Sequence, residues 1–272
     1  MKNLFFSFLF IALGNVCFAQ DESKYLTFDY EFEEGMSYKL FGDKVKLRNK
    51  PSAESTVLDT LDIGSNVQIL KKTKESMWFN GIESSWYKVK IDNQFGYVLG
   101  GLISLDDAVI GNDTYLISPS RDTNYSYLNI RLLAPEATNY FESTVTLFTS
   151  LFSINAYNNR GLEGVTSIFF VDLHAEACGE NGGGTYLFHD ELFFEPVIEL
   201  SSISEAGLFH FSEELTFPDE MENPDGSILY IREASEYMDE EMNWEQSTIN
   251  RVKIRWEDRK LTPNPIDFFN ED

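Results

Sequence analysis

The chain has 272 residues, and its 45 Asp and Glu against 21 Lys and Arg give a formal net charge of −24 at pH 7. Such an excess of negative charge argues against nucleic acid or anionic lipid as a partner, because their phosphates would be repelled. Aromatic residues make up 15% of the chain, which is ample large apolar surface for the cores of one small and one medium domain.

The N-terminal segment, residues 1–19, has the pattern of a secretory signal peptide. Lys2 supplies a positive charge, an apolar run extends from Leu4 to Leu13, and Cys17-Phe18-Ala19 places small residues where a signal peptidase reads. The run is too short for a membrane span, and no later stretch is long enough for one. Lipid attachment at Cys17 is the alternative, although Val16 is bulky for such a site. The sequence therefore predicts an exported protein, periplasmic or extracellular.

An acidic lead-in segment, residues 20–39, precedes a region of short strands at residues 40–105. Within each short run of that region apolar and polar residues alternate, and Gly, Pro, Asn or Ser separates the runs. This pattern is typical of half-buried strands joined by tight turns, and five such runs fit a small barrel. We expect the Lys- and Ser-rich segment from Lys71 to Ser85 to form a long exposed loop. No acid–base pair, phosphate loop or metal-ligand spacing occurs in the region, which indicates a binding module.

The order of these runs resembles the bacterial SH3 (SH3b) family. The matching pieces are Val45-Lys46-Leu47-Arg48 followed by Pro51, the segment from Val57 to Gly64, Trp86-Tyr87-Lys88-Val89, and Gly96-Tyr97-Val98. The resemblance covers about a quarter of the chain. It implies a small β-barrel that docks peptides, often cell-wall peptides, and tethers a neighbouring domain to them. It does not identify one ligand, because ligand chemistry varies within the family.

Aromatic residues of the barrel are the candidate ligand contacts, since aromatic rings give a large rigid contact area at low entropic cost. The candidates are Trp78, Tyr87 and Tyr97, together with Arg48. Trp86 and Tyr87 are adjacent in a predicted strand and must face opposite ways, so at most one of them contacts a ligand. The expected partner is an extended peptide or a peptidoglycan stem peptide, with another exported protein as the alternative.

Residues 106–272 form a second, acidic region. About eight strand-like runs recur between turn signals, which predicts an antiparallel β-sandwich or a barrel-like domain. The best helix candidate is Glu233 to Trp244. Nine Lys and Arg stand against seven Asp and Glu over residues 40–105, whereas nine stand against 32 over residues 106–272. The slightly basic barrel could face an anionic partner, although an ordinary solvated surface is the simpler explanation of its charge.

A possible zinc site is the main alternative for the second region. Its four polar side chains are spaced two residues apart in a predicted strand: Asp172, His174, Glu176 and Cys178. A continuous strand would place all four on one face, where His189 or His210 could approach from neighbouring strands. The simpler interpretation is a polar outer face opposite buried apolar residues. We expect no cofactor, and His174, Glu176 and Cys178 are the metal candidates of the alternative.

A cell-wall cysteine hydrolase of the NlpC type is the alternative function, because exported SH3b modules often accompany such enzymes. Cys178 would act with His174 or His189. However, the glycine-rich run from Gly179 to Gly184 cannot begin the amphipathic helix that such a cysteine opens, and acidic neighbours oppose activation of a thiol. We therefore predict an all-β protein, with an SH3-like barrel followed by a larger antiparallel domain, that acts as a non-catalytic exported binding protein.

Overall fold

The computed structural model describes residues 24–135, 139–205, 208–222, 225–239 and 244–265. The predicted signal peptide and the alternative lipid site at Cys17 lie outside these ranges. The described residues form eighteen β-strands and two single-turn 3-10 helices, Gly100–Leu102 and Pro218–Glu220, and they contain no α-helix. The predicted all-β class is confirmed. None of the described residues forms a helix with the length and apolarity that a membrane crossing needs.

A six-stranded half-barrel occupies the SH3-like region. Its strands are β1 (Ser37–Lys39), β2 (Val45–Arg48), β3 (Val57–Leu61), β4 (Asn66–Phe79), β5 (Ile82–Ile91) and β6 (Gln94–Leu99). They pair antiparallel in the order β1-β4-β5-β6-β2-β3. Alternate positions point inward, and their branched and aromatic side chains form one core, which includes Val45, Leu47, Val67, Ile69, Tyr87, Val89 and Val98.

Part of the lead-in segment belongs to the barrel. β1 pairs with β4, and the side chains of Tyr30 and Phe32 are buried in the barrel core. The Tyr87 hydroxyl donates a hydrogen bond of 2.7 Å to the Tyr30 carbonyl. The Tyr30 hydroxyl in turn lies 3.1 Å from Oγ of Ser118, in the second region. The segment thus supplies a strand and two core side chains, and it connects the barrel to the rest of the molecule.

The segment from Lys71 to Ser85 is not the loop that the sequence predicts. It forms the outer halves of β4 and β5, which pair up to a two-residue turn at Asn80 and Gly81. Both turn residues have positive φ, 49° and 76°, as the tight turn of a β-hairpin requires. The polar composition is misleading because the outer half of β4 is mostly exposed, so this strand needs no apolar alternation there.

The second region contains two further antiparallel sheets. A four-stranded sheet has the order β10-β9-β8-β7, and an eight-stranded sheet runs from β11 to β18 in sequence order. The strands are β7 (Asp107–Ile110), β8 (Asp113–Arg121), β9 (Ser126–Leu133), β10 (Phe141–Leu147), β11 (Leu151–Tyr157), β12 (Ser167–His174), β13 (Asn181–His189), β14 (Phe194–Glu205), β15 (Phe209–Thr216), β16 (Ile228–Asp239), β17 (Trp244–Glu257) and β18 (Lys260–Thr262).

Strand β13 of the eight-stranded sheet is buried on both of its faces. Leu187 of β13 lies in a core shared with the four-stranded sheet, while its neighbours Tyr186 and Phe188 lie in a second core shared with β14 to β18. This is the alternation expected of a strand that is covered on both sides. The region is therefore a β-sandwich on one face of the long sheet, with a separate core on the other face.

The helix predicted from Glu233 to Trp244 does not form. Residues 233–239 belong to β16, and β17 begins at Trp244, while residues 240–243 lie outside the described ranges. Ala234, for example, is paired with Phe211 on one side and Thr248 on the other. Pairing with two neighbouring strands outweighs a weak helical preference, so the prediction is wrong for the described residues.

The tip of the β4–β5 hairpin docks on the second region. The backbone N–H of Arg121 donates a hydrogen bond of 2.9 Å to the carbonyl of Asn80. A Cβ at Gly81 would lie 1.8 Å from the carbonyl oxygen of Arg121, so only glycine fits there. At a second place the backbone N–H of Ile117 donates to Oγ of Ser104 at 2.8 Å. The barrel is thus attached to β8 at these two places as well as through the contact of Tyr30 with Ser118.

Candidate functional site

The outward side chains of the barrel sheet form the candidate binding surface. The barrel core takes Tyr87 and Val89 from β5 and Val98 from β6. Because successive side chains of a strand point to opposite faces, Lys88 and Tyr97 are turned outward. Lys88 is exposed and Tyr97 is half-buried. The surface is therefore fixed by the same alternation that builds the core.

One row of this surface contains two of the predicted ligand residues. Tyr97 is directly opposite Arg48 on β2 and Lys88 on β5. Lys88 is in turn opposite Lys71 on β4. Directly opposite residues of antiparallel strands point to the same side, with Cβ atoms about 5 Å apart. The row therefore runs Arg48–Tyr97–Lys88–Lys71 across four strands.

The adjacent row adds a second aromatic ring. Phe95, which is 54% exposed, is opposite Lys90, and Lys90 is opposite Gln68. We call the two rows together the outer barrel face, and it consists of Arg48, Tyr97, Lys88, Lys71, Phe95, Lys90 and Gln68. This face combines two aromatic rings with four positive charges and contains no acidic side chain.

Arg48 is held in place by the turn that follows β2. Its Nη1 donates a hydrogen bond of 2.6 Å to the carbonyl of Ser55. The Ser55 hydroxyl is itself within 2.9 Å of the Lys50 carbonyl and 2.8 Å of the Ser52 carbonyl. A side chain that is already ordered loses less conformational entropy when a ligand binds. Arg48 is therefore a pre-organised contact.

Two predicted ligand residues lie apart from this face. Tyr87 is fully buried, and its hydroxyl is bound to the Tyr30 carbonyl, so it offers no surface to a ligand. Its neighbour Trp86 is buried as well, where it is paired with Leu99. Neither of these adjacent aromatic residues is therefore available as a contact.

Trp78 is exposed, but it belongs to the opposite side of the sheet. Its side chain is 72% exposed, and it is paired with Glu83 on β5. Glu83 and Lys88 are an odd number of positions apart on β5, so they point to opposite faces. The structure therefore brings Arg48 and Tyr97 together and separates both from Trp78.

Lys88 and Lys71 are parts of the outer barrel face that sequence reasoning did not select. The alternation of Trp86-Tyr87-Lys88-Val89-Lys90 was a sufficient signal for Lys88, once its apolar positions were assigned to the core. Lys71 carried no such signal. The register between β4 and β5 shifts between Ile69 and Lys71, and an irregularity of this kind is not visible in the alternation of one strand.

The predicted metal ligands do not share one face. β12 ends at His174, so Glu176 and Cys178 lie in the following turn and no longer alternate with Asp172. The Glu180 carboxylate closes this turn, since it accepts hydrogen bonds from the backbone N–H groups of residues 176 and 177 at 3.1 and 3.2 Å. Across the described ranges, no group of three or more His, Cys, Asp or Glu side chains could hold a metal ion.

Cys178 and His189 of the alternative hydrolase site do not come together. Cys178 is exposed in the turn before β13, whereas His189 is the last residue of β13. At about 3.3 Å per residue, the length of that strand separates them by roughly 25 Å. His174 is nearer in sequence, but its Nε2 lies 3.1 Å from Oγ of Ser153. Each histidine thus has a separate environment.

A buried polar cluster joins the two sheets of the sandwich, and the sequence did not reveal it. Oδ2 of Asp113 accepts hydrogen bonds from the Ser167 hydroxyl at 2.6 Å and from Nδ1 of His189 at 2.9 Å. Ser167 also contacts the Tyr115 hydroxyl at 2.6 Å. In a catalytic triad the serine and the acid contact different nitrogens of the histidine. Here both contact Nδ1, so the cluster lacks the geometry that activates a serine.

Comparison with protein families identifies the barrel. Residues 43–104 match the model of the bacterial SH3 domain, a segment that contains β2 to β6. The predicted resemblance is confirmed over this part of the chain. Bacterial SH3 domains are typically cell-wall binding modules. No curated protein and no solved structure was found to match the chain.

Proposed function

We propose that this chain, which carries a bacterial SH3 domain at residues 43–104, is an exported non-catalytic binding protein that docks a peptide or cell-wall ligand on its outer barrel face. The observation that carries the proposal is the cross-strand row in which Arg48 and Lys88 flank the ring of Tyr97. This row lies within the segment that matches the family.

The chemistry of the row suits an extended ligand. The ring of Tyr97 offers a flat, rigid surface on which apolar parts of a ligand can pack. The guanidinium of Arg48 offers several N–H donors in a fixed plane, which suits carbonyl and carboxylate oxygens. Because the row crosses four strands, it matches a ligand with several groups in succession better than a single small molecule.

The proposed setting is outside the cytoplasm. The pattern of residues 1–19 supports export, and a ligand in the cell wall suits a bacterial SH3 domain. A peptidoglycan stem peptide is the preferred partner, and a peptide segment of another exported protein is the alternative. The proposal assigns no catalytic step to Cys178 or to the histidines.

Retention on purified peptidoglycan tests the proposal. We expect the wild-type protein to be retained and the double variant Arg48→Ala, Tyr97→Ala to bind about tenfold more weakly, because buried aromatic and arginine contacts each contribute on the order of 1 kcal/mol or more. Retention is measured by sedimentation with the insoluble wall and quantified in the supernatant.

The matched control is Tyr125→Ala. Tyr125 is 55% exposed in the turn between β8 and β9 of the second region, so its loss removes an exposed tyrosine ring that is not part of the outer barrel face. We expect this variant to bind as the wild type does. Equal retention of the wild type and the double variant, or no retention of the wild type, would contradict the proposal.

A further inference from the structure

The positive charges of the outer barrel face have no carboxylate partners in the described parts of the chain. Some other barrel lysines are paired with acidic residues, such as Lys44 with Asp62 and Lys72 with Glu31, whereas Lys46, Lys50 and Lys74 are not paired with any described carboxylate. No described carboxylate lies within ion-pair distance of Lys71, Lys88 or Lys90 either. What distinguishes the outer barrel face in a protein with a net charge of −24 is that it carries four positive side chains and no acidic one.

The arrangement of these charges is unfavourable in the free protein. Lys71 and Lys88 are directly opposite each other on β4 and β5, and like charges at directly opposite positions destabilise a sheet. Arg48 and Lys88 also lie on either side of Tyr97. A bound anionic group would attract each of these cations and offset the repulsion between them. A ligand can thus supply the negative charge that the face does not contain.

We propose that the outer barrel face recognises a peptide through its carboxylates, with Arg48, Lys88 and Lys71 as the cationic contacts and Tyr97 as the platform between them. This inference rests on the proposed function, because it names the ligand class of the same surface. Neighbouring strands are about 4.8 Å apart, so the cations that flank Tyr97 are separated by roughly 10 Å. They therefore match two carboxylates of one extended peptide, with its aliphatic part on the ring.

The charge of the rest of the molecule favours a short peptide over a long polyanion. Residues 106–272 carry nine Lys and Arg against 32 Asp and Glu. Charges are screened beyond about 8 Å in physiological salt, so a peptide confined to the outer barrel face is shielded from this repulsion. A phosphate polymer that extends past the barrel would approach the acidic domain and be repelled.

The experiment compares untreated peptidoglycan with peptidoglycan whose carboxyl groups have been converted to amides. We expect the wild-type protein to bind the amidated wall at least about fivefold more weakly, and its binding to untreated wall to fall as NaCl is raised from about 50 to 500 mM, since exposed charge pairs are weakened by salt. The double variant Lys71→Gln, Lys88→Gln should show a similar loss on untreated wall.

The matched control for charge is the double variant Lys74→Gln, Lys260→Gln. It removes two positive charges, as Lys71→Gln, Lys88→Gln does. Lys74 and Lys260 are exposed and lie outside the outer barrel face, so we expect binding close to that of the wild type. Inorganic polyphosphate serves as a competitor, and we expect it to displace the protein less effectively than a soluble glutamate-rich peptide at equal charge concentration.

The outcomes separate this inference from the proposed function. Equal binding to amidated and untreated wall, with the loss in Arg48→Ala, Tyr97→Ala retained, would overturn carboxylate recognition and leave the binding function intact. Stronger competition by polyphosphate would also overturn it, in favour of a phosphate ligand. Absence of binding to either wall would contradict the proposed function itself.

Discussion

The ionised carboxylate of Asp113 on β8 contacts Ser167 and His189 of the other sheet, so its ionisation affects the stability of the sandwich. Burial alone would raise the pKa of this carboxyl. Hydrogen bonds with His189 and Ser167, together with the electrostatic attraction of His189, outweigh that effect, so the pKa lies below its usual value. A carboxylate whose pKa is lower in the folded state stabilises the fold above its unfolded pKa, about 3.9, and this stabilisation is lost as pH falls through the folded pKa.

We therefore expect Asp113→Asn to lower the free energy of unfolding by about 2 kcal/mol at pH 7, because Ser167 and His189 lose a charged acceptor in a buried site. The difference from the wild type should begin to shrink below about pH 4, where the carboxyl of the unfolded wild-type chain becomes protonated, and it is lost as pH falls through the lower pKa of the folded state. Urea unfolding at pH 7 and pH 3.5 measures both values. Asp59→Asn, at an exposed position of β3, is the control, and an unchanged stability of Asp113→Asn at pH 7 would refute the assignment.

Only some of the predicted ligand residues of the barrel lie on one exposed surface. Arg48 and Tyr97 could be selected because they belong to recognisable short motifs, and the structure brings them together. Tyr87 could not be assigned correctly, since alternation shows that Trp86 and Tyr87 face opposite ways but not that both faces are covered at this point. Coverage of a strand depends on contacts from distant parts of the chain, which a local pattern does not contain.

At the level of elements, the β4–β5 hairpin is the clearest departure from expectation. Its outer half is polar and resembles a loop in composition, yet it forms a paired hairpin, with one register shift between Lys72 and Ser76, whose tip is bound to the backbone of Arg121. The two positive-φ residues of the turn, Asn80 and Gly81, were the available sequence signal, because Asn-Gly is the preferred pair for such a turn. The docking partner of the tip carried no local signal.

The hairpin tip provides a test of this docking. We expect Gly81→Ala to lower the free energy of unfolding by about 2–3 kcal/mol, since a Cβ there would lie 1.8 Å from the Arg121 carbonyl oxygen and the backbone has a φ of +76°. Gly111→Ala is a matched control, because Gly111 also has positive φ, +59°, but has no neighbour within 4 Å. It should cost only about 1 kcal/mol.

Urea unfolding of both variants separates the two contributions, and amide hydrogen exchange localises them. The extra loss in Gly81→Ala should be accompanied by faster exchange near Asn80 and Arg121, where the hairpin and β8 meet. Equal stability losses in the two variants would show that the close approach of Gly81 to β8 does not exist in solution.

For the whole molecule, the net negative charge governs how stability depends on salt concentration. Like charges of a net −24 repel one another in the compact state, and salt screens this repulsion. We expect the Tm to rise by about 2–5 °C when NaCl is raised from about 50 to 500 mM. Lys74→Gln, Lys260→Gln, which is more acidic, should have a lower Tm than the wild type at low salt and approach it at high salt. A Tm that falls with salt would contradict this account.

The architecture of the whole molecule was predictable only in outline. The order of short motifs between residues 43 and 104 was sufficient to place the barrel, and repeated strand signals gave the all-β character of the remainder. The two sheets of the sandwich could not be derived, because they are joined by contacts between distant parts of the chain, such as that of Asp113 on β8 with His189 on β13. These residues are 76 positions apart, and neither belongs to a recognisable motif.

The attachment of the barrel to β8 at the hairpin tip and at Ser104 has a consequence for how the molecule meets a surface. Because the barrel cannot turn freely against the acidic domain, the positive outer barrel face and the negative body form a permanent electric dipole of fixed direction. If the proposed ligand is correct, such a dipole would turn the molecule in the field of a carboxylate-rich wall before contact, so that the outer barrel face would arrive first. Every bound copy would then present the same side of its acidic domain away from the wall.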